Sequence, residues 1–181
     1  MRIVIDACVL YPTVMREMLL GAAQTGAFEP FWTERILEEW ARAARKIGPK
    51  GEPQARAEIV MARASFPAAT VSVPQGLAAR LWLPDENDVH VLAAAVASSA
   101  DAIMTLNAKD FPKGTLAEEG LTRLEPDGFL YGLWLRDAAG LEAVGARVLS
   151  QARAQSNADW EMRALLKKAR LPRLAKALSD L

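Results

Sequence analysis

The chain has 181 residues, of which 51% are hydrophobic and 24% are charged, and these are ordinary values for a single soluble globular domain. Its 22 basic and 22 acidic side chains cancel, so the charge of the whole chain does not indicate a polyanionic partner. One cysteine and one histidine exclude an internal disulfide framework and a zinc site of the usual ligand types, and they fit a reducing cytoplasm.

The first segment, RIVID, is a nearly continuous β-branched run, which is typical of a central parallel strand. It ends at Asp6, and the carboxyl end of a strand is where open α/β sheets build their sites. We therefore favour a functional role for Asp6 over a role as a turn former. The same early acid argues against a secretory signal. Residues 13–25 then have helical spacing, and FEPFW predicts a second strand.

A capped helix is predicted after Thr33. Its apolar stripe is expected on Ile36, Trp40, Ala43 and Ile47. At 100° per residue, Glu39 lies at the edge of this stripe, whereas Glu38 lies almost opposite and is expected to face water. Of the two acids, Glu39 is therefore the one predicted to reach an interior site.

A turn-rich break at GPKGEP is followed by a predicted helix over 54–64, the extended run ATVSV and a short helix at GLAARLW. The segment from Pro84 to Pro112 comes next, and the rest of the chain is organised around it. Asp85 is expected to be the N-cap, rather than a ligand, of a helix running through HVLAAAVASSA. This helix contains the longest apolar run, VLAAAVA, which is too short to span a membrane. Asp88 falls on its core-facing side, where a carboxylate needs a metal or a cation as partner. AIMT then predicts a strand buried on both faces.

The remainder of the chain predicts one more strand, at GLTRL, followed by helices from Pro126 onwards. We find no linker long enough to separate two domains. The sequence therefore predicts a single α/β domain over residues 1–181, with a central parallel sheet flanked by helices. Its core is expected over about 1–125, with a C-terminal helical extension over about 126–181.

Polar side chains fall at corresponding positions around this sheet. They are Asp6, Glu39, Asp88, Thr105, Asn107 and Asp110. Parallel strands bring their carboxyl ends to one side of a sheet, so these groups can converge. Several carboxylates within a few ångströms require a cation, and oxygen ligands without histidine or cysteine point to Mg²⁺ or Mn²⁺. Such a site activates water and stabilises charge on a phosphoryl group.

These residues resemble the motifs of a PIN-domain ribonuclease, of the kind found as the toxin in VapBC-type toxin–antitoxin pairs. The matching pieces are IVIDACVLYP, ILEEW and DENDVHVLAAAVASSADAIMTLNAKDFP, and the resemblance covers about residues 1–125. Asp6, Glu39 and Asp88 match the first three acids of the family. Many members carry Asp where Asn107 stands, so either Asn107 or Asp110 fills the fourth position, and the number of metal ions stays open.

The resemblance implies a PIN-like fold and Mg²⁺- or Mn²⁺-dependent cleavage of single-stranded RNA. It also implies a cytoplasmic homodimer and a small cognate antitoxin that covers the acidic cleft. Asp6, Glu39, Asp88 and Asp110 would be the catalytic and metal-binding residues, supported by Thr105 and Asn107. Candidates to position phosphates are Arg42, Arg45, Lys46 and Lys109. The alternative is a PIN-like module that binds RNA or a protein without cleaving, although such a module has little reason to keep buried acids facing phosphate.

Two other α/β classes also begin with a strand and an Asp. A haloacid-dehalogenase-type phosphotransferase needs a second Asp at the position of Cys8, and a receiver-like domain needs an acid pair after its first strand. Cys8 is instead expected to be a small packing residue. His90 is expected away from the acidic face of its helix, as an exposed or helix-packing residue. Tryptophans such as Trp82 are expected to be core or interface anchors rather than base-stacking platforms.

Overall fold

The computed structural model describes residues 1–156 and 158–179. The strands in this part of the chain are β1 (Arg2–Ile5), β2 (Glu29–Phe31), β3 (Ala102–Met104) and β4 (Thr122–Leu124). The α-helices are α1 (Ala7–Leu10), α2 (Thr13–Gln24), α3 (Glu34–Ala43), α4 (Gly51–Ser65), α5 (Val89–Ala97), α6 (Lys113–Glu118), α7 (Pro126–Arg136), α8 (Ala138–Ser156), α9 (Met162–Lys168) and α10 (Pro172–Ala177). Short 3₁₀ segments cover Ala44–Ile47, Leu77–Arg80 and Glu86–Asp88. Among the described residues, no helix combines the length and apolarity that a membrane span requires.

The four strands form one parallel sheet in the order β2-β1-β3-β4. Val4 pairs with Phe31 on one side and with Ile103 on the other, so β1 is buried among neighbours and is accordingly apolar. The chain moves outward from β1 to β2 and, in the opposite direction, from β3 to β4. The crevice outside the carboxyl ends of β1 and β3 is thus a topological switch point, where such sheets bind ligands. The predicted α/β fold, with a parallel sheet flanked by helices and further helices at the C-terminus, is confirmed.

The chain divides into two compact units. The first unit contains residues 1–11 and 28–124, and therefore the whole sheet. The second contains residues 12–27 and 125–181. Every residue predicted to belong to the site lies in the first unit. That residues 1–181 act as a single domain remains a prediction.

The described part of the second unit is helical. Within it, α2 packs against α7, α8 and α9, while α10 packs against α7 and α9. The buried carboxylate of Asp127, at the start of α7, accepts the backbone N–H groups of Arg173 and Leu174 at 2.9–3.1 Å. Because Leu171, the N-cap residue of α10, offers no side-chain acceptor, Asp127 supplies the cap from another helix.

Several predicted elements differ in extent. The helix predicted over 54–64 begins three residues earlier, at Gly51, where an added Cβ would overlap the carbonyl oxygen of Ala44. ATVSV contributes only an isolated bridge between Thr70 and Trp32 instead of a strand. Helices α1 and α6 were not predicted, and the long C-terminal helical pattern is divided into four helices.

The apolar face of α3 is rotated from the predicted stripe by about 60°, taking 100° per residue. Leu37 and Ala41 are buried with the predicted Ile36 and Trp40, whereas Ile47 is exposed. As a result, the side chains of Glu38 and Glu39 have the same exposure, 35%, on the two edges of the buried face. The expectation that Glu38 lies almost opposite the buried face and Glu39 much nearer to it is therefore wrong. Glu38 accepts hydrogen bonds from Arg42 and Arg56, which lower the pKa of its carboxyl.

Candidate metal centre

Two polar side chains follow the adjacent strands β1 and β3 at the switch point. The pairing of Ile5 with Met104 places Asp6 beside Thr105, and both of these polar residues are buried. The hydroxyl of Thr105 donates to Oδ2 of Asp6 at 2.7 Å and accepts the backbone N–H of Asn107 at 3.0 Å. The carboxylate of Asp6 is therefore held in one orientation by a residue on the neighbouring strand.

Cys8 is a second donor to Asp6. Its Sγ lies 3.0 Å from Oδ2 of Asp6 and 3.5 Å from Oγ1 of Thr105, and it accepts the N–H of Leu106 at 3.3 Å. Burial, and then the charge and hydrogen bond of Asp6, raise the pKa of the Cys8 thiol to about 12. The thiol consequently keeps its proton at neutral pH and can donate it to Asp6. Cys8 is thus more than the small packing residue that was predicted.

Three carboxylates come together above this pair of strands. Oxygen atoms of Asp85, Asp88 and Asp110 all lie within 4.8 Å of one another. Asp85 accepts the backbone N–H of Asn87 at 2.9 Å, so it caps the 3₁₀ segment Glu86–Asp88 and not, as predicted, α5, whose N-cap residue is Asp88. Asp85 is also a member of the acidic group. The side-chain amide of Asn107 donates to Asp110 and, at 3.4 Å, to Asp88, so it bridges two of the three acids.

The environment of Asp88 disfavours its negative charge. Burial, followed by the charges of Asp6, Asp85 and Asp110, raises the pKa of this carboxyl to about 6. A divalent cation held among these oxygens would reverse this effect, because opposite charge favours the ionised form. Carboxylate oxygens are the ligands that Mg²⁺ and Mn²⁺ prefer, so the residues present fit such an ion.

Glu39 lies in an ion-pair cluster and is not one of the three grouped acids. Its Oε1 accepts hydrogen bonds from Nε of Arg35 and Nε2 of His90, each at 3.0 Å. Burial acts to raise the pKa of Glu39, but the hydrogen bond and charge of His90, and then those of Arg35, leave this pKa below its usual value. Arg35 also donates to the carbonyl oxygen of Asn87, next to Asp88, at 3.2 Å. This arginine therefore links α3 to the segment that carries Asp85 and Asp88.

Two participants were not foreseen from the sequence. Asp85 was expected to be a cap only, although its spacing of three residues from Asp88 is the signal that places two side chains on one turn. His90 is a helix-packing residue whose side chain is only 12% exposed, and its partner Glu39 lies on another helix. No short-range pattern could have indicated that pairing, because the two residues are far apart in the chain.

One family matches the sequence. The sequence model of the family described as the PIN domain matches residues 2–109, more than half of the chain. The matched region contains the members of the acidic group other than Asp110, which immediately follows its last residue. No curated protein and no solved structure matches the chain.

Proposed function

The chain belongs to the PIN-domain family, whose members are generally metal-dependent nucleases, and from that premise we propose that it is an endoribonuclease that hydrolyses single-stranded RNA with Mg²⁺ or Mn²⁺. The observation that supports this most is the grouping of Asp85, Asp88 and Asp110 near Asp6 at the switch point of the sheet. We propose further that it is the toxin of a toxin–antitoxin pair, acting in the cytoplasm as a homodimer and inhibited by a small cognate antitoxin. These finer proposals rest on the sequence resemblance.

Each residue of the centre has a distinct proposed role. Asp88 and Asp110 would hold the cation together with Asp6 and Asp85. When bound, a divalent cation lowers the pKa of a coordinated water and stabilises the charge of the phosphate. Asn107 keeps two of the carboxylates facing each other. For the fourth position that the sequence left open, we propose that Asp110 supplies the charge and that Asn107 supports it.

Glu39 stays among the proposed metal-binding acids. Its lowered pKa keeps the carboxylate ionised at neutral pH, and Arg35 and His90 fix its orientation. Removing the charge of Glu39 would leave both partners without their acceptor beside the loop that carries Asp88. Glu39 therefore has two ways to act on the centre, as a ligand or by positioning Arg35.

Phosphate contacts are proposed for Lys109 rather than for the arginines of α3 and the following turn. Arg42 is paired with Glu38, and Arg45 is paired with Glu52. Lys109 is exposed and stands immediately before Asp110 of the acidic group. A lysine there would attract the phosphate backbone without reading its sequence.

The test is incubation of the purified protein with a mixture of single-stranded RNAs, with Mn²⁺ or with EDTA. We expect cleavage only with the metal. Asp88→Asn should reduce cleavage by at least about 100-fold, since even residues that only orient metal ligands contribute 10- to 100-fold. Binding of RNA without cleavage would favour the alternative of a binding module, and substantial cleavage by Asp88→Asn would remove Asp88 from the centre.

Glu38 and Glu39 of α3 offer a matched pair for testing the role of Glu39, since their side chains are equally exposed. Glu39→Gln should lower cleavage by at least about 10-fold. Glu38→Gln, which removes only contacts with Arg42 and Arg56, should cleave nearly as well as the wild type. The reverse order of effects would mean that Glu39 has no part in the reaction.

A further inference from the structure

Trp82 is exposed although the residues on both sides of it are buried. Its exposed fraction is 65%, against 9% for Leu81 and 1% for Leu83. The backbone at Leu81 is extended, so successive side chains point to opposite sides and the two leucines direct the indole outward. Within residues 1–156 and 158–179, neither the ring nor its N–H has a partner. Packing of the leucines therefore holds the tryptophan at the surface.

Trp82 is close in the chain to the candidate metal centre. Trp82 precedes Asp85 of the acidic group by three residues, a segment that spans at most about 11 Å. Arg35 contacts the same loop at the carbonyl oxygen of Asn87, and more than half of its side chain is exposed. An aromatic residue three positions away in the chain and a cation in direct contact are therefore both near the segment that carries Asp85 and Asp88.

The surroundings of Trp82 favour a flat ligand over a protein partner. Stable protein interfaces bury about 800 Å² per partner around an apolar centre. The exposed residues nearest to Trp82 in the chain are small or polar: Ala78, Ala79, Arg80 (paired with Glu119), Pro84, Glu86 and Asn87. Trp82 is the one aromatic ring among them, and one ring suits the stacking of one base, an interaction that tolerates any sequence.

We propose that Trp82 is the stacking platform for one base of a single-stranded RNA whose scissile phosphate lies at the acidic group. This inference rests on the proposed function and adds to it a reason for the class of substrate. In a duplex each base face is already covered by its neighbours, so only an unpaired base is free to stack on the indole. The contact would hold the strand beside the centre without selecting its sequence.

The experiment measures steady-state cleavage of a single-stranded oligonucleotide with Mn²⁺ by wild type, Trp82→Ala and Trp82→Phe. We expect Trp82→Ala to raise KM by about 5- to 150-fold, the effect of losing one base–aromatic stack, with kcat little changed. Trp82→Phe keeps an aromatic face and should stay close to wild type. The matched control is Met61→Ala on α4, which also removes an exposed apolar side chain (69%) and should leave both constants unchanged.

A series of oligonucleotides with one abasic position tests the contact directly. For the wild type, one position relative to the cleavage point should raise KM as much as the Trp82→Ala substitution does. Combined with Trp82→Ala, that same position should add nothing, because base and indole contribute through one interaction. Thermal melts of each variant check the fold, and little change is expected for a residue so exposed.

The outcomes separate this inference from the proposed function. If the wild type cleaves and Trp82→Ala has the same KM, or loses the same factor on every abasic oligonucleotide, Trp82 does not stack on the substrate. If Trp82→Ala leaves the kinetics intact but abolishes self-association on a sizing column, the residue belongs to a protein interface and the inference is overturned. If the wild type neither binds nor cleaves RNA with Mn²⁺, both proposals fail.

Discussion

Single residues of the candidate centre are held in two different ways. Asp6 accepts hydrogen bonds from Thr105 and Cys8, whereas Asp88 accepts one long hydrogen bond from Asn107 and is repelled by other acids. The strand-end position of Asp6 could be predicted, since a polar residue at the end of an apolar strand is visible in the sequence. The donors around it could not, because Thr105 and Asp6 are brought together only by the register of β1 and β3.

Cys8 offers a test of whether the orientation of Asp6 matters. Cys8→Ala removes the thiol donor, and we expect Mn²⁺ affinity and cleavage to fall by about 10- to 100-fold, the usual effect of losing a group that orients a metal ligand. Cys8→Ser retains a donor and should recover most of this loss. Calorimetric titration with Mn²⁺ measures the affinity directly. Equal behaviour of the two variants would show that the thiol only fills space.

The raised pKa of Asp88 predicts a dependence of stability on pH in metal-free protein. Its folded pKa of about 6 lies above the usual value of 3.8 for an aspartate, so the folded state holds this proton more tightly than the unfolded state. The cost of ionising Asp88 is absent below about pH 4, grows through the interval between the two pKa values and is complete above pH 6. The substitution Asp88→Asn removes this cost of ionisation.

We therefore expect Asp88→Asn to melt at a higher temperature than the wild type in EDTA at pH 7.5, and at a similar temperature at pH 4. Saturating Mn²⁺ should raise the melting temperature of the wild type more than that of the variant, since ligands stabilise the state that binds them. Thermal melts of both proteins at the two pH values, with and without Mn²⁺, measure the difference in melting temperature between them under each of the four conditions. The same difference between the proteins at both pH values would contradict the assigned repulsion.

Among the secondary-structure elements, the strands were predicted best. RIVID and AIMT each contain an uninterrupted apolar run of three residues that ends at a polar side chain, and both became inner strands of the parallel sheet. The rotation of α3 was wrong by about 60°, because the predicted stripe left out Leu37 and Ala41, which are buried. Periodicity alone did not indicate where the α-helical twist ends and the 3₁₀ segment begins.

Alanine substitutions of Gly51 and Gly114 test the close contact between the start of α4 and the 3₁₀ segment Ala44–Ile47 that precedes it. A Cβ at Gly51 would meet the backbone oxygen of Ala44, which cannot move without shifting its helix, so Gly51→Ala should destabilise the fold by about 1–3 kcal/mol. Gly114, in α6, has nothing within 4 Å of an added Cβ, and Gly114→Ala should stabilise by about 0.5–1 kcal/mol. Urea unfolding measures both, and shifts of the same sign would contradict the contact.

At the scale of the whole molecule, the second unit is assembled from two separate stretches of chain. The sequence indicated a change near residue 125, but not that residues 12–27 group with the C-terminal helices. The apolar residues of α2, such as Met18 and Leu19, were visible as a helical pattern. Which distant helix covers them is not encoded in any local pattern, since many apolar faces are equally compatible.

A fragment that ends at Leu124 tests this assembly. It retains α2 but lacks α7, α8 and α9, against which α2 packs within the second unit. We expect this fragment to expose the buried side of α2 and to aggregate, because large exposed apolar patches associate. Substituting Lys at Met18 and Leu19 in the same fragment should improve its solubility. A monodisperse fragment 1–124 that unfolds cooperatively would contradict this expectation.

The same split arrangement sets an order of events during synthesis. Ribosomes add about 5–20 residues per second, so the partners of α2, which begin roughly a hundred residues after it, emerge on the order of 10 s later. During that interval a nascent amphipathic segment is complete but has nothing to pack against. We expect it to be the part of the newborn polypeptide that chaperones occupy first.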